Sequence, residues 1–211
     1  SPKNKDKKYK TEILRNFTFF SPFHLDKKNM SEYLKVINAN KIRILRGYPS
    51  SLLIFAKFIK EHNQKINPIK FILTASEVLT KNNRDYIEGA FDTKIFDHYG
   101  LADISVMMGE CEMHNGLHNY EDYGYLELHG EKEEKSIIGT NLHNHAMPLI
   151  RYDTGDLAEL NNDSCECGRQ FPLVKSILGR KSQHIITSGG RNIPLTNFFT
   201  MFDKYLDILK W

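Results

Sequence analysis

Cysteine is scarce, with three residues in 211. A count that low and odd argues against a disulfide framework and points to the cytoplasm. No apolar run is long enough to span a membrane, and no signal-peptide pattern is visible. Charge of one sign is also scarce: 29 Lys and Arg face 26 Asp and Glu, a net charge of +3. No helix carries a Lys/Arg stripe, so a nucleic-acid partner is set aside. The one basic run, Lys3 to Lys10, reads as a solvated end. Solenoid repeats and low-complexity linkers are missing too. What remains is ordinary for a soluble globular protein, with 40% hydrophobic and 26% charged residues. The length suits one large or two small domains with an ample core.

The first half alternates. Asn29 is a candidate helix cap with Glu32 at the reciprocal position, and Met30, Tyr33, Leu34 and Ile37 then share a face. "IRIL" (42–45), "IKFILT" (69–74) and "KIFD" (94–97) read as short buried strands. Each is followed by a polar loop: "RGYPSS" (46–51), "ASEV" (75–78) and "HYGLAD" (98–103). Helical spacing returns at Leu52, Phe55, Ala56 and Ile59, and at Tyr86, Ile87 and Ala90 after a Thr80 cap. A further helix is expected from Asp103. Strand, loop and helix repeated three times predict an α/β fold with a parallel sheet and flanking helices. Ligands of such sheets bind where the loops leave the carboxyl ends of the strands.

After about Gly116 the helical period fades. "GYLEL", "SIIGTNL", "PLIRY" and "DLAEL" are short β-like runs punctuated by Gly, Asn and Asp. The expected organisation is an α/β subdomain over 1–115, a smaller and mostly antiparallel β subdomain over 116–193, and the start of another segment over 194–211.

Two constellations carry chemistry. Cys165 and Cys167 share a Gly-containing turn in "SCECGR", while "GECEMHNGLHNY" offers Cys111, His114 and His118. Three thiols and one imidazole make a tetrahedral structural zinc set. His118 is the chosen fourth ligand and His114 its competitor; small core or free cysteines are the plainer alternative. The second constellation is "LIRYDTGDLAEL" (149–160), which crowds Arg151, Asp153, Thr154, Gly155 and Asp156 together. On its own it has the chemistry of a hairpin turn.

"TASEVLT", "DHYGLAD", "MPLIRYDTGD", "CECGR" and "GRKSQHIITSGGRNI" occur in the order found in adenylate-forming enzymes. The chain resembles the phenylacetate–CoA ligase and capsular-polysaccharide CapK-like branch of that superfamily, from about Phe20 to about Pro194. The "RGYPS" loop and the paired "GLH" and "CECGR" segments point to this branch. The resemblance implies ATP-dependent activation of a small-molecule carboxylic acid to an acyl-adenylate, then transfer to a thiol such as coenzyme A. It implies that Ala75, Ser76 and Glu77 wall the adenine, that Tyr99 beside Gly100 stacks on it, and that Asp97 sits near its amino group. Asp103 falls at the magnesium-binding position, Asp156 at the ribose hydroxyls, and Arg180 at the ribose or phosphates. The residue types match this chemistry, since a carboxylate accepts both protons of a diol, a guanidinium pairs with phosphate, and magnesium takes hard oxygens. On this reading Arg151 and Asp153 help to hold the turn that presents Asp156. Arg46, Tyr48 and Ser50 are candidates for lining an acyl pocket or hinge, or form only a Pro-containing turn that starts a helix.

The sequence also departs from the pattern. Ala102 stands where a Thr or Ser is common, Asp103 is one methylene shorter than the usual Glu, and Ser182 and Gln183 occupy the expected hinge position. A Gly-rich phosphate loop and a catalytic Lys domain are not seen, so the expectation is a central fragment of a longer enzyme. The competing expectation is a zinc-stabilised nucleotide-binding or interaction module without catalysis.

Overall fold

The computed structural model describes residues 8–130, 133–161 and 164–181, with the backbone of 184–186 and 192–194. Ser182, Gln183 and the segment after Pro194 lie outside the described residues. The chain divides into two compact units. One comprises Ser1–Thr74 and Leu79–Ile95, the other Ala75–Val78 and Phe96–Trp211.

In the first unit a hairpin, β1 (Tyr9–Glu12) and β2 (Phe17–Phe20), precedes α1 (Lys27–Ala39). Asp26, not Asn29, caps α1: its carboxylate accepts the Asn29 N–H at 3.0 Å. Asp is as good a cap as Asn, and here it precedes a turn of helix that Asn29 joins. The expected face is buried, with Met30, Tyr33, Leu34 and Ile37 all inside. β3 (Ile44–Gly47) and β4 (Phe71–Ala75) pair in parallel, Ile44 beside Phe71 and Gly47 beside Thr74. They are joined through α2 (Pro49–Glu61), whose Pro at the first turn needs no amide partner. α3 (Lys81–Phe91) starts on Thr80, whose hydroxyl accepts the Asn83 N–H at 3.3 Å. Ile37, Ala56, Phe58, Ile72, Ile87 and Ile95 form the centre of one core. Arg46 and Ser50 are exposed, and Tyr48 stands at the start of α2.

The second unit is a sheet whose neighbours all run antiparallel. It begins with β5 (Ile95–Gly100), of which Ile95 belongs to the first unit. From β5 the order is β6 (Met107–Glu110), β7 (Leu117–Asn119), β11 (Leu173–Arg180), β10 (Tyr152–Leu160), β9 (Glu134–Asn141) and β8 (Gly124–His129). Val106, Met108, Leu117, Ile137, Ala158 and Val174 form its core. β12 (His184–Ile186) pairs with β13 (Asn192–Pro194).

Three local expectations are corrected. His98, Tyr99 and Gly100 belong to β5, not to a loop. The helix expected from Asp103 does not form. Asp103 Oδ1 instead accepts the Ser105 N–H at 2.8 Å, Ile104 takes a left-handed φ of 65°, and the chain returns as β6. A helix cannot propagate through that backbone. "PLIR" is not a strand; only Tyr152 of that run joins β10. No helix among the described residues is long and apolar enough to cross a membrane.

Candidate functional site

The "RYDTGDLAEL" run is not a hairpin turn. From Tyr152 on it forms the single strand β10, which bulges: Asp153 faces Ile138 on β9, but Leu157 faces Ser136. Four steps on β10 therefore match two on its neighbour, and Thr154, Gly155 and Asp156 leave the pairing with β9. Gly155 sits at φ 74°, a conformation glycine adopts without a Cβ penalty. Thr154 Oγ1 donates to Ile137 O at 2.9 Å and accepts the Asp156 N–H at 3.1 Å, so its hydroxyl replaces the missing ladder bonds. Asp153 holds the bulge from the other side. Its carboxylate accepts the Gly155 N–H at 3.0 Å and pairs with Lys181 at 2.7 Å. Arg151 plays no such part, because its guanidinium pairs with Glu127 on β8 at 3.1 Å.

The bulge turns the Asp156 carboxylate inward, where the residue is only 6% exposed. Its two oxygens have different partners. Tyr99 Oη donates to Oδ2 at 2.7 Å, and Arg180 Nε lies 3.5 Å from Oδ1. Asp156 and Arg180 are direct cross-strand partners of β10 and β11. Burial, and then the Asp156 carboxylate, push the Tyr99 phenol far above its ordinary pKa, so it remains a hydrogen-bond donor. Asp103 adds a smaller push in the same direction. The 75–78 loop approaches the same strands: a Cβ built on Gly179 would lie 3.7 Å from Val78 Cγ2. Within that loop Ser76 has φ 72°, a sparsely populated conformation for a residue with a side chain. Ser76 and Glu77 are exposed, and Ala75 ends β4.

Two positions flank this centre on β5 and its turn. The Asp97 N–H donates to Glu110 Oε2 at 2.8 Å. The carbonyl of Asp103 accepts from Asn141 Nδ2 at 3.4 Å, and the same amide group bonds Met147 O and the Leu149 N–H. Asn141 thus ties the Asp103 turn to the segment leading into β10. Asn141, Lys181 and Glu110 escaped the sequence reading, because each acts on a backbone or side chain remote along the chain. The buried Ser105 hydroxyl, two residues from Asp103, has no hydrogen-bond partner among the described residues.

The second constellation also comes together. Single donor atoms from Cys111, His118, Cys165 and Cys167 all lie within 4.8 Å of one another. Cys111 Sγ is 3.5 Å from Cys165 Sγ, and Cys167 Sγ is 3.4 Å from His118 Nε2. A tetrahedral zinc with ordinary bond lengths separates its donors by roughly 3.6 to 3.8 Å. The donor set therefore fits that ion. His118 Nδ1 is 3.4 Å from Phe171 O, as expected of a ligand whose second nitrogen is oriented by a carbonyl. His114 is engaged elsewhere, with Nδ1 3.2 Å from Glu110 and its ring 4.7 Å from that of Phe96. For Cys167, burial pushes the thiol up, but the Arg169 backbone N–H and guanidinium outweigh it and bring the thiol down to about 6. For Cys165, the Cys167 backbone N–H pulls down, and burial with the adjoining thiols prevails, pushing it up to about 11. Arg169 is itself anchored on Glu112 at 2.7 Å.

Comparison with known proteins adds an independent line. The chain is 28% identical to protein CapK of Staphylococcus aureus over 178 residues, covering 81% of this chain and 38% of that protein. It is 32% identical over 137 residues to phenylacetate-coenzyme A ligase of Thermus thermophilus, covering 60% of this chain and 31% of that enzyme. These similarities support a place in the adenylate-forming ligase superfamily. The chain spans about a third of the length of the curated relatives it matches. Among solved structures of this ligase fold, 2-hydroxyisobutyryl-CoA ligase in its postadenylation state with 2-HIB-AMP superposes with a TM-score of 0.71. That match has 23% identity and covers 83% of this chain and 40% of that one. No family model matches the sequence.

Proposed function

We propose that this chain is the nucleotide-holding part of a carboxylate-activating ligase. In that reaction a carboxylate oxygen attacks the α-phosphorus of ATP, pyrophosphate leaves, and the acyl-adenylate passes its acyl group to a thiol, with coenzyme A the expected acceptor. One observation carries the reading. A bulge in β10 delivers a buried carboxylate, Asp156, held between a phenol and a guanidinium that come from two other strands. A hairpin or a simple edge strand has no need of that arrangement. A buried carboxylate with its geometry fixed on both oxygens is suited to accept a vicinal diol, because the donors of the ribose replace or supplement donors already aimed there.

The remaining assignments follow the same logic. Ala75, Ser76 and Glu77 would wall the base, Asp97 and Tyr99 would face it, and Gly100 ends the strand beside it. Arg180, which is exposed, would supply a fork for phosphate or ribose. Asp103 would offer magnesium a hard oxygen, with waters filling the shell. Cys111, His118, Cys165 and Cys167 would hold one zinc in a closed structural set, which fixes β6 and β7 against the start of β11. All three cysteines are free of disulfides, which supports a cytoplasmic setting.

Calorimetry with AMP tests the reading. Wild-type chain is expected to bind, and Asp156→Ala to weaken binding by about 1.5 to 3 kcal/mol, the scale of hydrogen bonds to a charged group. Equal affinity of the two proteins would reduce "RYDTGD" to a structural bulge.

A further inference from the structure

We infer that Glu110 is a positioning residue that couples the metal loop to the nucleotide site, so that metal at the Cys/His set governs nucleotide affinity. The inference rests on the nucleotide-binding reading above. β5 and β6 pair through Gly100 and Met107, Tyr99 and Met108, and His98 and Gly109. The next rung would join Asp97 to Glu110. The pairing with β5 ends one step earlier, while Glu110 still pairs with Leu117 on β7, and the Glu110 side chain serves β5 instead: its Oε2 accepts the Asp97 N–H at 2.8 Å. The same oxygen lies 3.2 Å from His114 Nδ1. The Glu110 side chain is only 7% exposed, so its carboxylate is held by partners and not by water.

His114 connects this carboxylate to the loop. It occupies φ 51°, and its N–H bonds Cys111 O at 3.1 Å. Its ring packs 4.7 Å from that of Phe96, the neighbour of Asp97. Cys111 and His118 bound the loop that carries His114, and both belong to the donor set. Fixing those two residues fixes the loop between them, and with it both groups that grip residues 96 and 97. Asp97 and Tyr99 are two apart on β5 and project on one face, so the hold on the Asp97 backbone also sets the end of the strand that presents Tyr99 to Asp156.

The test uses the whole chain with its zinc, AMP calorimetry and elemental analysis. Glu110→Ala is expected to keep zinc while weakening AMP about tenfold, the factor carried by one charge-assisted hydrogen bond. Glu110→Gln, whose amide oxygen accepts the same N–H, is expected to restore affinity to within about twofold. The Asp97 amide proton resonance supplies a readout that a general loss of stability would not move. It should lie downfield in wild type, remain near that position in Glu110→Gln and move upfield in Glu110→Ala. Removing zinc with a chelator should weaken AMP in wild type and add little in Glu110→Ala, because both perturbations break one path. Unchanged AMP affinity in zinc-bearing Glu110→Ala overturns the inference, as do fully additive effects of chelation and mutation. If the chelated chain unfolds, the zinc-bearing variants and the Asp97 amide decide. Wild-type chain that binds no AMP removes the nucleotide reading and this coupling together; binding that ignores Glu110 removes the coupling alone.

Discussion

Replacing His118 with Ala removes the imidazole from a donor set otherwise made of thiols. Structural zinc in small domains is worth roughly 10 to 16 kcal/mol, so one donor in four carries about 3 kcal/mol, or about a hundredfold in metal affinity. The site adds to that loss. His118 is 1% exposed, so truncation leaves a cavity, and Phe171 O loses the imidazole donor beside it. His114→Ala is the control, because His114 spends its ring on Glu110 and Phe96. The assay is elemental analysis after dialysis against a chelator of intermediate affinity. Wild type and His114→Ala should each retain about one zinc per chain, the stoichiometry of a single four-donor site; His118→Ala should retain far less. Retention by His118→Ala together with loss by His114→Ala would refute the choice of ligand. Undialysed wild type that carries no metal yet melts unchanged in excess zinc would refute the site itself.

Gly155→Ala should cost about 1 kcal/mol of stability, through backbone strain at φ 74° and not through collision, since nothing lies within 4 Å of the new Cβ. Urea unfolding checks it, and an unchanged midpoint would mean the bulge relaxes freely. Glu88 makes a pH prediction. Burial raises its carboxyl, but the Ile95 N–H at 3.0 Å and Lys94 at 2.9 Å outweigh this and hold it below its ordinary 4.5. Its stabilising contribution is therefore complete above that value and is lost as pH falls through the lowered folded value. Glu88→Gln should flatten the acid side of the stability profile, and a profile as steep as wild type would count against the pairing. Asp103→Ala should abolish the magnesium dependence of ATP binding while sparing AMP, and Asp103→Glu should keep it; magnesium dependence that survives Asp103→Ala would place the ion elsewhere.

Local patterns were legible where local forces decide. The apolar spacing of Met30, Tyr33, Leu34 and Ile37 marks a helix face whatever lies against it, and Thr80 announces a cap because its partner is three residues away. The misreadings share another cause. Asp26 and Asn29 both have capping chemistry, and one accepts from the other, so composition alone places the boundary only to within a turn. Nothing local predicts a left-handed Ile104, since β-branched residues avoid that region; the neighbouring strands impose it. Asp-Thr-Gly-Asp has the same glycine and carboxylate requirements in a hairpin turn as in a bulge, and only the register against β9 separates the two.

The candidate site illustrates the limit more sharply. Residue types told which groups could accept a diol or bind a soft metal, and on those grounds Asp156 and the cysteines could be singled out. Geometry decides what each group is aimed at, and that depends on pairings far apart in sequence. Tyr99 meets Asp156 across 57 residues, which commits its hydroxyl to that carboxylate and fixes the ring that the resemblance assigns to the base. His118, and not His114, lies among the three cysteines because β7 pairs with β11, setting Leu173 opposite His118 and Phe171 O within reach of its second nitrogen. Glu110 had no signature at all, since its partner is a backbone amide and every residue but proline has one. A buried acid beside a candidate metal ligand is nonetheless a physical clue of its own: it must find donors nearby, and it finds one in the loop, at His114, and one on β5, the strand that carries Asp97 and Tyr99.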